Sequence, residues 1–141
     1  MAMTMHIDIV SGEAEIFSGP VTMVFAPAKM GEVGIAPRHA PMVTTLKPGE
    51  IRVQTQEGEE QYYFVSGGIL EVQPHIVTVL ADTAVRATDI DEAAAIEAKE
   101  RAATAMKDKT ADIDYAKAQA EFAHAAAQLR AIEGLRKRAK R

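Results

Sequence analysis

The chain has 141 residues, of which 48% are hydrophobic and 26% charged, with a formal net charge of −4. These values are typical of a soluble globular protein with one domain, or one small domain and an appendage. The absence of cysteine excludes disulfides, thiol catalysis and cysteine-ligated zinc. No apolar run approaches the roughly 20 residues of a membrane span, and residues 1–10 lack the layout of a secretion signal.

Composition divides the chain near Ala87. All six prolines and eight of the nine glycines lie before that point, whereas residues 88–141 hold seventeen alanines against nine in residues 1–87. The net charge is −5 over residues 1–87 and +1 over residues 88–141. Because proline and glycine mark turns and alanine favours helix, we expect a β domain over residues 1–87 and a helical domain over residues 88–141.

Short alternating or apolar segments separated by turn signals run through the first part. Turns are predicted at Ser18-Gly19-Pro20 and at residues 47–50, and Ser66-Gly67-Gly68 breaks the chain with unusual backbone angles. Many short strands without intervening helices predict an antiparallel β-sandwich or barrel of about eight to ten strands. The predicted strands cover residues 6–10, 21–25, 42–46, 51–55, 61–65, 69–72 and 76–80.

Residues 31–41 fit none of these strands. They combine two glycines, two prolines, an acid, a base and a histidine in eleven residues. We interpret them as a loop, which is either a contact surface or an ordinary connection.

Two helices are predicted in residues 88–141. A capping box starts the first helix, with Thr88 as the cap and Asp91 three residues on, and the helix runs to about Met106. A polar break follows at residues 107–111, after which Thr110 or Asp112 can cap the second helix. Apolar residues of the second helix repeat at spacings of three and four, which predicts one narrow seam: Tyr115, Ala118, Phe122, Ala125, Leu129 and Ile132.

This seam holds few large side chains. Its burial offers roughly 6–12 kcal/mol before any cost, whereas ordering each backbone residue costs about 1–2 kcal/mol. The pair of helices is therefore expected to need a partner surface, with docking that can change. Permanent packing on the sandwich is the alternative.

No catalytic or metal-binding pattern stands out among the chemically active residues. The four histidines, His6, His39, His75 and His124, show no paired metal-ligand spacing, and His6 with Asp8 is interpreted as a surface pair. There is no phosphate-binding loop and no nucleophile elbow. The basic residues 136–141 have no interleaved aromatics, so they do not predict nucleic-acid binding. We expect no enzyme activity, no metal and no nucleic-acid partner.

Three stretches resemble a known family. They are Phe17-Ser18-Gly19, the segment 31–41 (GEVGIAPRHAP), and residues 66–84, which begin SGGILEVQP. They are similar to segments of the epsilon-subunit family of bacterial F-type proton-translocating ATP synthases. The resemblance covers nearly the whole chain and is most specific in residues 5–85.

The resemblance implies an N-terminal sandwich of about ten strands and a C-terminal antiparallel helical hairpin. It implies a non-catalytic subunit of the central rotor stalk, which couples proton flow through the c ring to ATP synthesis in the alpha/beta head. The expected partners are the gamma subunit, the c ring and, conditionally, the head. The expected location is the cytoplasmic face of the bacterial inner membrane, reached only through partners, with a monomer when isolated.

The resemblance also assigns contacts. Glu32 aligns with the ring-facing acid of the family, and Ser11, His39 and Thr44 align with positions near gamma. The resemblance implies that the helical hairpin can lie folded on the sandwich or extend along gamma into the head, and that the extended form blocks rotation in the hydrolysis direction. Its basic end would then meet acidic loops of the beta subunit through Arg136, Lys137, Arg138, Lys140 and Arg141.

One motif departs from the family pattern. Some relatives bind regulatory ATP through an [IL]DxxRA motif, which here reads Ile90-Asp91-Glu92-Ala93-Ala94-Ala95. Ala94 replaces the arginine, which removes a charge-assisted bond to phosphate. Tight ATP binding is therefore not expected, and no cofactor is predicted.

A free-standing β-sandwich binding module with a helical oligomerisation tail would explain composition and periodicity equally well. It predicts an exposed ligand groove and a seam that self-associates. The stalk-subunit interpretation predicts a polar loop tip around Glu32 instead.

Overall fold

A computed structural model describes residues 3–107 and 112–139, with side chains from residue 115 onward in the second range. The chain divides into two compact units, Met1–Arg86 and Ala87–Arg141. Within the described residues the first unit is a β-sandwich of nine strands, and the second holds two α-helices after a short 3-10 turn. The predicted fold class is thereby confirmed.

The strands follow in chain order with short connections. They are β1 (Met5–Ser11), β2 (Glu15–Ala28), β3 (Gly31–Ile35), β4 (Met42–Leu46), β5 (Gly49–Thr55), β6 (Glu60–Val65), β7 (Gly68–Val72), β8 (Ile76–Ala81) and β9 (Ala84–Arg86). The 3-10 turn spans Ala87–Asp89, and the helices are α1 (Glu92–Lys107) and α2 (Asp112–Ala139).

Strand β2 joins the two layers of the sandwich. Its first half pairs antiparallel with β1, and its second half pairs with β5, β3 and the end of β4. The order of hydrogen-bonded strands is β1-β8-β7-β4-β2-β5-β6-β9, with β3 beside β2. Because β1 also pairs in parallel with β8, one layer closes back onto β2.

Alternate residues of these strands form the core. Ile7 and Ile9 of β1 are fully buried, as the alternation of residues 6–10 predicts. Tyr63 is buried with them, its ring lies 5.5 Å from that of Phe17, and its hydroxyl donates to Oε1 of Gln61 at 2.7 Å. That hydrogen bond satisfies the phenol, so a polar atom enters the core without an unpaired group. Burial also raises the pKa of Tyr63, against an opposing effect of the nearby Arg86 charge.

Two predicted irregular segments are strands. Ser18, Gly19 and Pro20 lie inside β2, not in a turn. The pairing of β2 with β5 starts only at Val21, so Pro20 has a neighbouring strand on one side alone. A missing amide N–H is tolerated at such an edge.

The segment 31–41 was likewise only partly a loop. Its first five residues form β3, which pairs with β2 from Val24 to Ala28, and residues 36–41 make the connection to β4. The pairing of a glycine-containing segment with an adjacent long strand is a tertiary effect that local propensity does not capture. The short strand β9 was also missed, since three residues carry too little periodicity.

The predicted break at Ser66-Gly67-Gly68 is confirmed. Gly67 and Gly68 have φ angles of 125° and 136°, values that side chains disfavour. The amide of Thr83 donates to Oγ of Ser66 at 2.8 Å, and the amide of Asp82 donates to the carbonyl of Gly67 at 3.0 Å. The break is therefore bound to the turn between β8 and β9.

The two helices are antiparallel, because the start of α1 meets the end of α2. Arg136 contacts Glu92, and the ammonium of Lys99 lies 5.5 Å from the centre of the Phe122 ring. Of the predicted seam, Ala118 and Ala125 are buried, and Phe122, Leu129 and Ile132 are half-buried. Tyr115 does not join them, with 41% of its surface exposed.

The predicted helix cap was wrong by one turn. Thr88 lies in the 3-10 turn, and α1 begins at Glu92. The amide of Ala94 donates to Oδ1 of Asp91 at 3.1 Å, so Asp91 is the cap. Both residues are good caps in isolation, and the 3-10 turn moves the helix start to the second. Of the break predicted at residues 107–111, Lys107 is instead the last residue of α1, and the remainder, with the candidate cap Thr110, lies outside the described residues. The other candidate cap, Asp112, is the first residue of α2.

Gly68 offers a direct test of the strand break. A Cβ on Gly68 would lie 2.1 Å from the carbonyl oxygen of Leu80, a backbone atom that cannot rotate away. With the cost of its backbone angle, we expect Gly68→Ala to lower the free energy of unfolding by about 3 kcal/mol or more. Urea unfolding measures this. Gly12→Ala is the matched control, because nothing lies within 4 Å of its Cβ position; equal losses for both variants would contradict the assignment.

Candidate partner-binding surfaces

An apolar strip crosses the outer face of β4, β7, β8 and β1. Ile69 and Leu80 are directly paired across β7 and β8, and Leu80 is paired with Val10 of β1. Val43 of β4 lies diagonally beside Ile69 on the same face. Val43 is 70% exposed, Leu80 47% and Ile69 43%. We call Val10, Val43, Ile69 and Leu80 the outer strip.

The outer strip backs directly onto the core. The neighbouring residues Leu70 and Val79 are fully buried on the inner face. At Ile69-Leu70 and Val79-Leu80 the strands β7 and β8 are therefore apolar on both faces, which is the pattern of a sheet covered on both sides. Glu71 and Thr78, paired on the outer face, bound this apolar region. In the sequence, the uninterrupted apolar pairs Ile69-Leu70 and Val79-Leu80 are the signal from which this surface could have been predicted.

The positions predicted to lie near gamma flank the outer strip without belonging to it. Ser11 ends β1 next to Val10, and its Oγ accepts from the amide of Ala14 at 3.4 Å. Thr44 follows Val43 in β4 and pairs with the buried Leu70, so it shares the inner face. Ser11 pairs with the buried Ala81, so it too shares the inner face. Both residues therefore adjoin the outer strip along the chain but lie on the other face of the sheet.

His39 lies in the connection that leads into β4. It is half-buried, and its Nδ1 lies 2.7 Å from the carbonyl oxygen of Ala40. The preceding Arg38 has a φ of 68°, and its amide donates to the carbonyl of Pro74 at 2.9 Å. A left-handed backbone at a residue other than glycine is costly, so this hydrogen bond helps hold the connection against the turn before β8.

A polar cluster borders the outer strip on β1 and β2. Oγ of Ser18 donates to Oδ1 of Asp8 at 2.6 Å, and Nε2 of His6 lies 2.9 Å from both of those oxygens. The predicted surface pair of His6 and Asp8 is therefore confirmed, with Ser18 as a third member.

These three residue types also occur in hydrolase triads, but their geometry is different. The Ser18 proton is directed to the carboxylate, so Nε2 of His6 must donate to the serine oxygen. An imidazole that donates to a hydroxyl cannot remove its proton, and Ser18 has no activating base. The cluster is a hydrogen-bonded surface feature.

This cluster changes the pKa of Asp8. The hydrogen bond from Ser18 lowers the pKa of Asp8 from its ordinary value, with smaller help from His6, against an opposing effect of burial. A carboxyl group accepts hydrogen bonds better when it is ionised, so the hydrogen bond from Ser18 favours the ionised form and lowers the pKa of Asp8.

Glu32 lies near the tip of the β2–β3 hairpin. It is exposed on β3 opposite Pro27, and Met30 in the turn is 97% exposed. The amides of Lys29 and Lys47 donate to the carbonyls of Thr45 and Pro27, each at 3.0 Å. These bonds tie the base of the hairpin to the end of β4, so the tip projects from a fixed support.

The motif at the start of α1 is used by the helix itself. The carboxylate of Asp91 caps α1 by accepting a hydrogen bond from the amide of Ala94. The backbone carbonyl of Asp91 accepts from the amide of Ala95 at 3.0 Å. Ile90 is half-buried just before the helix. At the other end of the pair, Arg136, Lys137 and Arg138 lie in the last turn of α2, while Lys140 and Arg141 fall outside the described residues.

Among residues 3–107 and 115–139, no three histidine, aspartate or glutamate side chains converge as a ligand set. Neither helix, where described, has a stretch long and apolar enough to cross a bilayer.

Comparison with known proteins identifies the class. Residues 4–87 match the family described as ATP synthase, Delta/Epsilon chain, beta-sandwich domain, and residues 88–133 match the long alpha-helix domain of the same chain. The chain belongs to the delta/epsilon family of ATP synthase subunits. The resemblance noted in the sequence is thereby confirmed.

Within that family the curated relatives are bacterial epsilon chains. The ATP synthase epsilon chain of Nitrosococcus oceani is 67% identical over 138 residues, which cover 98% of this chain and 99% of the relative. That of Legionella pneumophila is 56% identical over 140 residues, covering 99% and 100%. A chain in the Euglena gracilis mitochondrial ATP synthase structure matches at a TM-score of 0.82 with 21% identity, covering 92% of this chain and 81% of that chain.

The pKa of Asp8 gives a test of the polar cluster. Because the folded pKa is lowered, the ionised carboxylate stabilises the fold above the ordinary aspartate pKa of about 3.9, and this contribution is lost as the pH falls through the lowered value. We expect Ser18→Ala to raise the pKa of Asp8 toward the ordinary value, as followed by NMR titration of its carboxyl carbon. Ser11→Ala, at the far end of β1, is the control; a pKa unchanged by Ser18→Ala would refute the assigned cause.

Proposed function

We propose that this chain is a non-catalytic central-stalk subunit of a bacterial ATP synthase. In this proposal the sandwich links the gamma subunit to the c ring, so that proton flow through the ring drives ATP synthesis in the alpha/beta head. The two helices limit ATP hydrolysis. The chain would lie at the cytoplasmic face of the inner membrane, reach the membrane only through its partners, and be a monomer when isolated.

The outer strip is the observation that carries the gamma contact. Contiguous apolar side chains on an otherwise well-packed sandwich mark a surface that another protein covers. Ile69 and Leu80 are adjacent at the sheet spacing of about 4.8 Å, and Val10 and Val43 extend them on either side. Ser11 and Thr44, which align with gamma-proximal positions of the family, adjoin Val10 and Val43 along the chain but share the inner face of the sheet, so the outer strip itself carries this argument.

The hairpin tip supports the c-ring contact. Glu32 is exposed beside the projecting Met30, on a turn tied to β4. Two structurally similar chains come from assemblies whose descriptions name a c ring: the Euglena gracilis complex, and a Tetrahymena thermophila central stalk that matches at a TM-score of 0.64. Both are under 25% identical to this chain, so they support the fold placement and not individual contacts.

The composition of the helical pair supports a regulatory role. Its fully buried residues, within the described part, are all alanines, so its internal packing removes little apolar area from water. A pair held this weakly can exchange between docking partners. The cations at the end of α2 would suit acidic loops of the beta subunit, and Ala94 in place of arginine argues against tight regulatory ATP binding.

Membership in the family displaces the free-standing binding module as an explanation. The family match extends through residues 88–133, so the helices belong to the same subunit type as the sandwich. An oligomerisation tail is no longer needed to account for them.

The outer strip predicts a loss of gamma binding on charge insertion. Leu80→Glu would bury a carboxylate against apolar partner surface, which should weaken capture of purified gamma at least tenfold, or about 1.4 kcal/mol. Binding of immobilised full-length chain to gamma measures this. Circular dichroism checks that the variant is folded, as expected for an outward side chain.

Met30→Glu is the matched control for that experiment. It inserts the same charge at a more exposed apolar residue, away from the outer strip, and should leave gamma binding unchanged. Gamma binding unaffected by Leu80→Glu, or weakened equally by both variants, would reject the outer strip as the gamma surface.

In assembled membranes a cysteine in place of Glu32 should crosslink to the c ring.

The helical pair predicts an effect on hydrolysis. Removing residues 88–141 leaves the core residues of the sandwich in place, so the enzyme should assemble. ATP hydrolysis by the assembled enzyme is expected to rise, because the blocking element is gone. An unchanged rate in correctly assembled enzyme counts against the inhibitory role.

A further inference from the structure

An ion pair joins the start of α1 to the end of α2. Nη2 of Arg136, in the last turn of α2, donates to Oε2 of Glu92, in the first turn of α1. The two residues are 44 positions apart in the chain. Lys99 makes a second contact between the helices, with the Phe122 ring, about two turns further along α1.

Each charge suits its own helix end. Glu92 lies at the positive N-terminal end of the α1 dipole, and Arg136 at the negative C-terminal end of the α2 dipole. Antiparallel packing brings these ends together, so both charges are placed favourably before they meet. Their pairing adds no unfavourable charge to either helix.

The packing between the ends makes this pair important. In the described parts of α1 and α2 the buried residues are all alanines, with Ala95 and Ala102 on α1 and Ala118, Ala125, Ala127 and Ala131 on α2. Alanine contributes a single methyl group, so apolar burial holds the helices weakly. The ion pair therefore contributes a larger share of the free energy that keeps the helices together than it would beside a leucine-rich seam.

We propose that the Glu92–Arg136 ion pair is a clasp that holds the two helices closed. Opening α2 away from α1 must break the clasp, and while it is closed Arg136 is occupied and unavailable to another chain. The regulatory consequence rests on the proposed function: the closed clasp would keep α1 and α2 from extending into the position that blocks hydrolysis. Both side chains are exposed in part, so salt should weaken the clasp.

The full-length chain allows a direct measurement. It has no cysteine, so cysteines placed at the exposed Ala93 and Ala139 accept spin labels at those sites alone. Pulsed electron resonance then gives the ratio of closed to open helices. At low salt we expect Glu92→Gln and Arg136→Gln each to lower this ratio by up to about fivefold, and the double variant to lower it no further. High salt should remove the differences.

Glu133→Gln is the matched control. Glu133 pairs with Lys137, four residues along the same helix, at 3.7 Å. Glu133→Gln therefore removes a carboxylate near the clasp without removing a contact between the helices. Thermal melting of the helical signal in the same variants gives a second reading if the wild-type chain is almost wholly closed. Additive effects of the two single variants, or an equal effect of Glu133→Gln, would overturn the clasp.

Charge reversal separates the pair from general effects of charge. Glu92→Arg alone and Arg136→Glu alone place like charges together and should open the helices further. The double reversal restores the attraction, so it should be more closed than either single reversal. Because the reversed charges oppose the helix dipoles, recovery is expected to be partial. A double reversal as open as the sum of its parts contradicts the proposal.

The assembled enzyme distinguishes the clasp from its regulatory consequence. Glu92→Gln frees Arg136 without removing it, so hydrolysis should fall below that of the wild type. If removal of residues 88–141 leaves hydrolysis unchanged while the coupling in the isolated chain is present, the inhibitory role fails and the clasp stands. If the coupling is absent, the clasp fails whatever the enzyme assay shows.

Discussion

Pairing along β2 is the constraint on which the sandwich depends. This strand of fourteen residues pairs with β1 in its first half and with β5 and β3 in its second, so one continuous backbone supplies hydrogen bonds to both layers. Pro20 lies where β2 pairs on one side alone, and a hydrogen-bond donor is not needed there. The closed order of strands and the position of the projecting β2–β3 hairpin both follow from it.

The outer strip follows from the same topology. Strands β7 and β8 lie inside the layer that β1 and β4 complete, and their inner residues fill the core. Ile69 and Leu80 on the opposite face have no role in that core, yet they are apolar and adjacent. The proposed contact with gamma would account for their chemistry. The polar cluster of His6, Asp8 and Ser18 marks the border of this surface and adds no catalytic group.

The helical unit is organised on a different principle. Its helices meet through alanines, which allow close approach but bury little surface, through an ion pair that joins two helix ends, and through a cation–aromatic contact further along. Such a structure is specified by geometry more than by hydrophobic free energy. The sequence can specify how the two helices pack while little free energy is needed to separate them, which is the property that a regulatory element requires.

The sequence by itself determined the division near Ala87, the fold class, the strand break at Ser66-Gly67-Gly68 and most of the α2 seam. These features rest on composition, periodicity and backbone limits, which are local. Only the tertiary structure decided that Ser18-Gly19-Pro20 continues a strand, that Asp91 caps α1, and that Ile69 and Leu80 share an exposed face. Those outcomes depend on which strand or turn lies alongside, and the register between distant segments is not written in either segment alone.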